Sequence, residues 1–594
     1  MHSATGRDHE ILRVPIAGIP SRRVLRLIGA ALAVVVLLAA TSGTAGAHAQ
    51  LESTSPDSSS VLEVAPKQVL LHFDEPVEID FGSLRVIGPH GARVDDGGTL
   101  HPAGDTHAVA VSVQRDLPEG TYVVAWRVIS ADSHPVHGAF VFSVGTAAGA
   151  RRADALATSI AAQTGSTAVG VAYWIVRTAA FVGLLFLVGP TVLLALAWRE
   201  GARSRRVGRL LWWMWGTLLA ATVAGILIQG IYASALPFTD FARPPLVADV
   251  LRTRFGEVEL LRLVLLAAMV PVLLGLRGRL GDPDRRWVWV TPAACLLGLG
   301  LLVTPGLAGH ASTGSSPVLG SVLDVSHLAA AAAWLGGLAL LATFLATRVP
   351  GDALPDEPSL VTRRVSSVAY VGVAVVVATG VVQSIRQVGS FYALLHTSYG
   401  VALLVKIALV VALVALGAAS RRVVHGGGGP LRWALPDRWS RRPDDAGVVS
   451  RSRLRRSVLA ELAVAVAVLG VTAVLVNAVP AGQAVAQPFT YSVSTLGVQV
   501  NTIVSPAVAG SINQVHVYVL SSAGTPRAVP ELDLSLSLPS ESIGPLTVPL
   551  TLAGPGHYRA DDVDIPVAGS WVLHLTVRTN AIDEQEVVTT FPVR

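Results

Sequence analysis

Residues 171–198, VAYWIVRTAAFVGLLFLVGPTVLLALAW, form an apolar stretch of 28 residues. A helix needs about 20 apolar residues to cross the roughly 30 Å hydrocarbon core of a bilayer. Seven more stretches of sufficient length follow. They lie near residues 210–236, 258–276, 287–307, 318–346, 366–386, 394–419 and 457–479. The sequence therefore predicts a membrane domain with an eight-helix transmembrane bundle between residues 169 and 480.

The charges between these stretches predict how the bundle is oriented. With the N-terminal part outside the cytoplasm, the four cytoplasmic loops carry 22 Lys and Arg and the three opposite loops carry 3. Positive charge concentrates in cytoplasmic loops. We therefore expect a multi-pass protein of the plasma membrane, in contact with lipid and with both chain ends extracytoplasmic.

The composition excludes several classes of protein. Of the 594 residues, 14% are charged, against about 25% in soluble domains. A single cysteine, Cys295, excludes a disulfide scaffold and a Cys-rich metal site. Residues 48–145 carry a net charge of −8 and residues 481–594 a net charge of −5, so nucleic-acid binding is disfavoured. Acidic surfaces instead attract cations.

The N-terminal segment has the features of a signal peptide, which we assign to residues 1–47. Arg22, Arg23 and Arg26 precede the apolar run 27–40, and Ala45-Gly-Ala47 has the small residues of a cleavage site. Cleavage after Ala47 makes His48 the first mature residue. Two alternatives stay open: cleavage after Ala49, which leaves Gln50 first, and an uncleaved first transmembrane helix.

Two regions show the alternation of β-strands. Residues 48–145 contain Gln68-Val-Leu-Leu-His-Phe73 and Thr121-Tyr-Val-Val-Ala-Trp126, separated by Gly- and Pro-rich turns, which indicates a small β-sandwich or barrel. Residues 146–168 are rich in Ala, Thr, Ser and Gly and indicate a linker. Residues 481–594 show about seven short strands, which is typical of an immunoglobulin-like β-sandwich.

The first β region has the residues for a copper site. It holds 7 of the 16 histidines. An N-terminal His48 offers an α-amine and an imidazole, which together suit tetragonal Cu(II). Asp132 and His134 are two residues apart and share one face of a strand. We predict that His48, Asp132 and His134 bind one Cu(II). We interpret His72, His90, His101 and His107 as surface residues, and His137 as an exposed residue, with a role as an extra ligand as the alternative.

This region resembles the CopC copper-binding family. The resemblance is carried by Ala47-His-Ala-Gln-Leu-Glu-Ser-Thr-Ser-Pro56, Phe73-Asp-Glu-Pro-Val77 and Gly120-Thr-Tyr-Val-Val-Ala-Trp-Arg-Val-Ile-Ser-Ala-Asp-Ser-His-Pro-Val136. It implies a cupredoxin-like β-barrel that binds Cu(II) through the N-terminal His, an Asp and a second His, here His48, Asp132 and His134. The segment contains no Met, so the Met-rich Cu(I) site of some members has no counterpart.

Polar residues within the apolar stretches point to a pathway for a cation. Ionisable groups in a membrane are costly and usually face the interior of the bundle. We place His310, His327 and His396 on a possible copper pathway, because neutral imidazoles bind copper. Hydrogen bonding between helices is the alternative role. Lys406, which shares a predicted helix face with His396, is interpreted as structural or as a charge partner.

The membrane region resembles the CopD family. The matching stretches include Leu307-Ala-Gly-His-Ala311, Ser326-His-Leu-Ala-Ala-Ala-Ala-Ala-Trp-Leu-Gly-Gly337 and His396-Thr-Ser-Tyr-Gly400. The resemblance implies inward movement of copper received from a CopC partner. The C-terminal region resembles a YtkA-type accessory domain, and its His516, His557 and His574 show no spacing typical of a metal site.

Together these features predict a protein of copper import or homeostasis, without enzymatic activity. The pattern G-x-x-x-x-G-K-[ST] of an ATP-binding loop does not occur. A downstream copper chaperone or an oxidase is an expected partner. Two alternatives stay open: a chaperone that supplies copper to an oxidase without transport, and a copper or haem redox enzyme.

Overall fold

In the computed structural model, the described residues are 49, 51–131, 133–145, 153, 156–157, 166–280, 282, 285–309, 317–346, 356–388, 391–424, 451–484, 489–510, 512–522 and 525–593. The predicted signal peptide, residues 1–47, lies outside them, as does most of the predicted linker, residues 146–168.

The N-terminal domain consists of two β-sheets around one apolar core. The strand orders are β1-β3-β5 and β2-β7-β6-β4. The strands are β1 (Leu51–Ser55), β2 (Val61–Leu62), β3 (Gln68–Phe73), β4 (Val77–Ile87), β5 (Ala108–Ser112), β6 (Gly120–Ser130) and β7 (Pro135–Val144). Alternation builds the core, since Val69, Leu71 and Phe73 of β3 are all fully buried.

The cupredoxin-like barrel expected for this domain is not closed. Among the described residues, no hydrogen-bonded ladder joins the two sheets. Closure requires edge strands to pair, and the edge strand β2 has two residues, which pair in parallel with Ser143 and Val144 of β7. The domain is therefore an open two-sheet β-fold within the multidomain membrane protein that the sequence predicts.

Eight helices of the described chain are long and apolar enough to span a membrane, as predicted. They are α1 (Thr167–Leu196), α2 (Arg205–Ala233), α4 (Arg254–Leu276), α5 (Trp287–Leu307), α6 (Pro317–Leu345), α7 (Asp356–Val388), α9 (Ser398–Val424) and α10 (Arg451–Asn477). Three shorter helices accompany them: α3 (Pro244–Arg252), α8 (Phe391–His396) and α11 (Ala481–Ala484). In a bilayer the backbone must satisfy its own hydrogen bonds, so apolar segments of this length form helices.

Glycines bring α1 and α6 into close contact at the centre of the bundle. A Cβ atom on Gly189 would lie 1.8 Å from the carbonyl oxygen of Ala332, and one on Gly336 would lie 2.6 Å from Cδ of Pro190. Small residues allow such close approach of helices in membranes. The spacing between α1 and α6 therefore depends on the absence of side chains at these two positions.

The C-terminal domain is a sandwich of two antiparallel sheets, as predicted, with its core around the fully buried Trp571. The orders are β13-β14-β10-β9-β8 and β12-β11-β15-β16. The strands are β8 (Phe489–Thr495), β9 (Val498–Ser505), β10 (Ile512–Ser521), β11 (Glu531–Leu538), β12 (Ile543–Val548), β13 (Thr551–Gly554), β14 (His557–Asp564), β15 (Gly569–Arg578) and β16 (Glu584–Val593). About seven strands were expected; the short edge strands β12 and β13 are largely exposed and lack the alternation that marks the others.

The N-terminal domain rests on one end of the bundle. Arg127 of β6 donates from Nη1 to the carbonyl oxygen of Ala233, the last residue of α2, at 3.1 Å. The backbone amide of Arg254, the first residue of α4, donates to Oε1 of Glu78 at 3.0 Å. Oδ2 of Asp57 in the N-terminal domain lies 3.6 Å from Nδ1 of His557 in the C-terminal sandwich. Both β domains therefore gather at the same end of the bundle.

Candidate metal centre

His134 lies in the tight turn that joins β6 to β7. The amide of Ser130 donates to the carbonyl of His134 at 2.9 Å, and the amide of Ser133 donates to the carbonyl of Ser130 at 2.8 Å. His134 is only 3% exposed. The other two predicted ligands, His48 and Asp132, lie outside the described residues. Convergence of the three on one Cu(II) therefore stays a prediction.

A buried carboxylate beside this turn was missed by the sequence reasoning. Glu75 is 9% exposed, and its Oε1 accepts a hydrogen bond from Oγ of Ser130, the last residue of β6. A buried negative charge favours a cation nearby. In the sequence, Glu75 is a charged residue between two apolar strands. Such positions are usually exposed turns, so the sequence did not indicate that Glu75 is buried.

A guanidinium group of the bundle faces the imidazole of His134. Nη1 of Arg177, in α1, lies 3.4 Å from Nε2 of His134 and 2.8 Å from Oδ1 of Asn477, the last residue of α10. A guanidinium only donates, so Nε2 of His134 accepts and the neutral ring carries its proton on Nδ1. A metal that takes Nδ1 of the neutral ring would move the ring proton to Nε2, which would then face the guanidinium donor, so metal binding there would break the contact with Arg177.

The backbone of the same turn is also bonded to the bundle. Nε2 of Gln229, in α2, donates to the carbonyl of Ser133 at 3.1 Å, and Oε1 of Gln229 accepts from the hydroxyl of Tyr173 at 2.5 Å. Gln229 and Tyr173 are both 2% exposed. Buried polar groups of this kind depend on having partners. The turn that carries His134 is therefore held directly on the ends of α1 and α2.

Apolar packing continues this contact between the domain and the bundle. Ile129 of β6 is buried in one cluster with residues of α2, α3, α4 and the end of α5. The other buried members of this cluster are Ile226, Ala233, Val250, Phe255, Val258 and Ala308. The β6–β7 hairpin is thus fixed to the bundle by both polar and apolar contacts.

Within the bundle, His327 of α6 has a defined ring orientation. Its Nδ1 lies 2.8 Å from Oγ1 of Thr379 in α7, and that hydroxyl donates to the carbonyl of Val375 at 2.7 Å. Because the hydroxyl proton is directed to Val375, Nδ1 of His327 donates and Nε2 is the acceptor nitrogen. Fixing one ring nitrogen in this way is how proteins orient a histidine ligand.

His396 occupies a different environment. It is exposed and ends α8, and α9 begins at Ser398 with Oγ1 of Thr397 accepting from the amide of Gly400 at 3.0 Å. The sequence predicts one continuous helix that carries His396 and Lys406 on a shared face. That helix is interrupted at Thr397, because the capping hydroxyl starts a new helix there.

The described residues include only part of the predicted copper pathway. His310 lies outside the described residues, and His327 and His396 lie on different helices. Lys406 interacts electrostatically with Asp324 and His327, which fits the interpretation of Lys406 as a charge partner. The copper roles of His310, His327 and His396 stay predictions.

A buried ion pair in the bundle was not anticipated from the sequence. Both carboxylate oxygens of Glu259 accept from Nη1 of Arg262, at 2.5 and 2.7 Å, and Nε of Arg262 donates to Oγ1 of Thr304 at 2.9 Å. These residues join α4 to α5. The i, i+3 spacing of Glu259 and Arg262 was the available signal, and the pair explains how two charges are accommodated among apolar helices.

Comparison with known proteins gives matches along nearly the whole chain. Family models match residues 51–145 (CopC domain), 163–320 (copper resistance protein D-like, N-terminal domain), 359–475 (copper resistance protein D) and 492–589 (FixH). The C-terminal sandwich, which the sequence likened to a YtkA-type domain, is thus matched by the FixH model.

Individual relatives carry names related to copper. The chain is 28% identical over 559 residues to the copper transport protein CutJ of Bacillus subtilis, covering 92% of this chain and 96% of that protein. It is 31% identical over 107 residues to copper resistance protein C of Escherichia coli, covering 17% of this chain and 84% of that protein. A crystal structure of CopC from Methylosinus trichosporium OB3b shares 31% identity, covers 16% of this chain and 93% of its own, and gives a TM-score of 0.16.

Proposed function

Because this chain belongs to the copper-resistance family that joins a CopC domain to a CopD membrane domain, we propose that it imports copper. In this function the N-terminal domain captures Cu(II) on the extracytoplasmic side of the plasma membrane. His48, Asp132 and His134 bind the ion, and the bundle passes it inward along His310, His327 and His396. A copper chaperone or an oxidase then takes up the copper.

The contact between the His134 turn and the bundle is the observation that carries this proposal. Three helices contribute to this contact. Arg177 contacts His134, and Gln229 donates to the carbonyl of Ser133. Asn477 accepts a hydrogen bond from Arg177. An ion held at this turn would lie directly above the bundle. Donor and acceptor are joined in one chain, so transfer between them takes place at high effective concentration.

Copper uptake by cells tests the proposal. We compare cells without the protein, with the wild type, and with His134→Ala, His327→Ala or His396→Ala, and measure whole-cell copper under copper limitation. The wild type should raise cell copper, and all three variants should reduce this gain. His90→Ala, an exposed histidine of the same domain, is the matched control and should retain it.

Two outcomes would count against import. Wild-type uptake by all three variants removes these histidines from the pathway. If loss of the protein leaves total cell copper unchanged but lowers the copper content of an oxidase, the protein is a chaperone and not a transporter.

The orientation of the domains is proposed from the charge of the loops and is testable on its own. In a Cys295→Ser background, Ile582→Cys places a thiol on the exposed surface of the C-terminal sandwich, and Arg203→Cys places one in the loop between α1 and α2. A membrane-impermeant maleimide added to intact cells should label the first position and not the second. Labelling of Arg203→Cys alone would reverse the orientation.

We further propose that the copper-loaded protein is not an enzyme. A carboxylate and a full set of nitrogen ligands around Cu(II) leave little room for oxygen to bind. Copper-loaded protein should therefore consume no oxygen when a reductant is supplied. Sustained, protein-dependent oxygen consumption would support the redox-enzyme alternative.

A further inference from the structure

A cluster of three metal-binding side chains lies between the N-terminal domain and the C-terminal sandwich. Asp57, His516 and His557 each offer a ligand atom, and these atoms lie within 4.8 Å of one another. The sequence shows no spacing typical of a metal site at His516 and His557, and the structure brings both together with Asp57. Their spacing carried no signal because the cluster forms only when two strands and a turn of another domain meet.

Strand pairing places the two histidines side by side. His516 on β10 and His557 on β14 lie on neighbouring antiparallel strands, where Tyr518 is the register partner of His557. Nδ1 of His516 is 3.0 Å from Nε2 of His557. The ring of Tyr518 stacks on His557 with centroids 4.3 Å apart, so the orientation of His557 is fixed by its neighbour.

Asp57 reaches this pair from the N-terminal domain. It lies in the turn between β1 and β2, where its carbonyl accepts from the amide of Ser60 at 3.1 Å and from Oγ of Ser60 at 2.6 Å. Its Oδ2 is 3.6 Å from Nδ1 of His557, whereas His516 faces Nε2 of that ring, and one ligand atom from each of the three residues lies within 4.8 Å of the others. The cluster thus combines ligands from positions more than four hundred residues apart in sequence.

One cation lies near the cluster, and its charge is offset. Asp57 supplies a carboxylate beside His557. The neighbouring cation Arg559 is paired with Asp561 at 3.0 Å, so its repulsion of an ion is reduced.

We propose that Asp57, His516 and His557 form a second copper site, at which Cu(II) joins the N-terminal domain to the C-terminal sandwich. Ligand bonds of about 2 Å at angles of about 90–109° place two nitrogens about 2.8–3.3 Å apart, and the observed separation of 3.0 Å lies in that range. Two imidazoles and a carboxylate suit Cu(II), which binds such ligands more tightly than other divalent first-row metals. The choice of copper also rests on the proposed function.

Because its ligands come from two domains, the ion would stabilise the contact between them. A ligand that binds only the assembled arrangement shifts the equilibrium toward that arrangement. Copper binding at this site would therefore hold the N-terminal domain against the sandwich and restrict its movement on the bundle.

Copper stoichiometry of the full-length mature protein in detergent tests the site. Cu(II) is titrated and followed by electron paramagnetic resonance in the wild type, His516→Ala/His557→Ala, His134→Ala and His574→Ala. The wild type should bind two equivalents, and the double variant and His134→Ala one each. His574→Ala is the matched control, because His574 lies in the opposite sheet and bonds to Glu586 at 2.7 Å; it should keep both.

The outcomes separate this proposal from the proposed function. Equal stoichiometry in the wild type and the double variant overturns the second site, whether or not His134→Ala loses copper. Loss of copper only in the double variant supports the second site and counts against the N-terminal one. Displacement of the bound Cu(II) by equimolar Zn(II) overturns the assignment of the metal.

A variant in the N-terminal domain tests the site without changing the C-terminal sandwich. Asp57→Asn alters no strand of the sandwich. It should weaken copper binding at this site by about tenfold or more, as loss of a ligand or of its supporting carboxylate does. In hydrogen-exchange mass spectrometry, Cu(II) should protect residues 56–60 and β14 in the wild type but not in Asp57→Asn. Unchanged exchange on adding Cu(II) to the wild type overturns the bridging role.

Discussion

At the scale of single residues, the partner of one ring nitrogen determines which nitrogen of a histidine a metal reaches. Nε2 of His134 faces Arg177, whereas Nδ1 of His327 faces Thr379. This leaves Nε2 of His327 as the acceptor nitrogen that a metal could take, whereas His134 would have to move its proton away from Nδ1 before Nδ1 could bind a metal. The two histidines are thus oriented in opposite senses by groups of the bundle.

The ligand set of the N-terminal site can be tested directly. In a His516→Ala/His557→Ala background, His48→Ala or His134→Ala should lower the affinity of the mature protein for Cu(II) by orders of magnitude. Each change removes an imidazole, while far-UV circular dichroism should show an intact fold. His90→Ala, the control, should bind Cu(II) with the affinity of the background protein. Unchanged Cu(II) affinity in His48→Ala would refute the predicted ligand set.

A second residue-scale prediction concerns acid stability. Burial alone raises the pKa of Asp95, but the hydrogen bond from Arg93 and those from the amides of Val86 and Gly97 hold it below its ordinary value of 3.8. Ionised Asp95 therefore stabilises the N-terminal domain above pH 3.8, and this contribution is lost as pH falls through the lower pKa of the folded state.

Asp95→Asn should accordingly destabilise the domain by about 1–3 kcal/mol at pH 7, and its difference from the wild type should shrink below pH 3.8. Hydrogen exchange of the amides in β4 measures this loss of stability, because the amide of Val86 in β4 donates to Asp95. Asp96→Asn, at the exposed neighbouring position, should have little effect. A difference between Asp95→Asn and the wild type that grows toward acid pH would contradict the assignment.

Which candidate residues the sequence could predict depends on how far their partners lie along the chain. Asp132 and His134 were selected by the CopC resemblance. The strand geometry also used to pair them was wrong, because β6 ends at Ser130 and β7 begins at Pro135, so that His134 lies in a turn. Asp57 meets His557 only through the docking of two domains. No local pattern encodes such a contact, which is why this cluster was missed.

At the scale of elements, helices in the membrane were the most predictable part of the fold. Hydropathy alone gives all eight, because a bilayer leaves an apolar segment of that length no other stable conformation. It does not give the break at Thr397, since the cap depends on one hydroxyl within an otherwise helical pattern. Strand alternation likewise predicts two β domains but not whether their sheets close.

The contact between α1 and α6 yields a prediction at this scale. Gly189→Val would place side-chain atoms against the carbonyl of Ala332 and should destabilise the bundle by about 1–3 kcal/mol or more, as overpacking does. Thermal unfolding in detergent measures this. Gly170→Val, in the same helix but with no atom within 4 Å of its Cβ position, is the control and should unfold near the wild-type temperature. Equal losses in both variants would show that valine, and not the contact, is responsible.

At the scale of the whole molecule, the two β domains and the bundle meet at one end. The even number of spans returns the chain to the side on which it started, so hydropathy and loop charge predict this gathering. The particular contacts, such as those of Arg127 and Glu78 with helix ends, follow from surface complementarity that a linear pattern does not record.

Uncoupling the domain from the bundle should separate binding from transport. Gln229→Leu keeps the side-chain volume but removes the hydrogen bonds to Ser133 and Tyr173. We expect copper uptake to fall several-fold while Cu(II) affinity stays within about threefold of the wild type. Thr178→Val is the control, because the hydroxyl of Thr178 donates to the carbonyl of Trp174 in the same helix. Unchanged uptake in Gln229→Leu would show that the turn need not be docked for transfer.

His134 is 3% exposed in the β6–β7 turn, where it faces Arg177 of α1. If the proposed Cu(II) site forms at this turn, the burial would slow the approach of soluble thiols and amino acids to the bound ion. Release to bulk water would then depend on opening of the turn, which is bonded to α2 through Gln229. The consequence for the proposed import is that scavengers in solution would compete poorly for copper already bound.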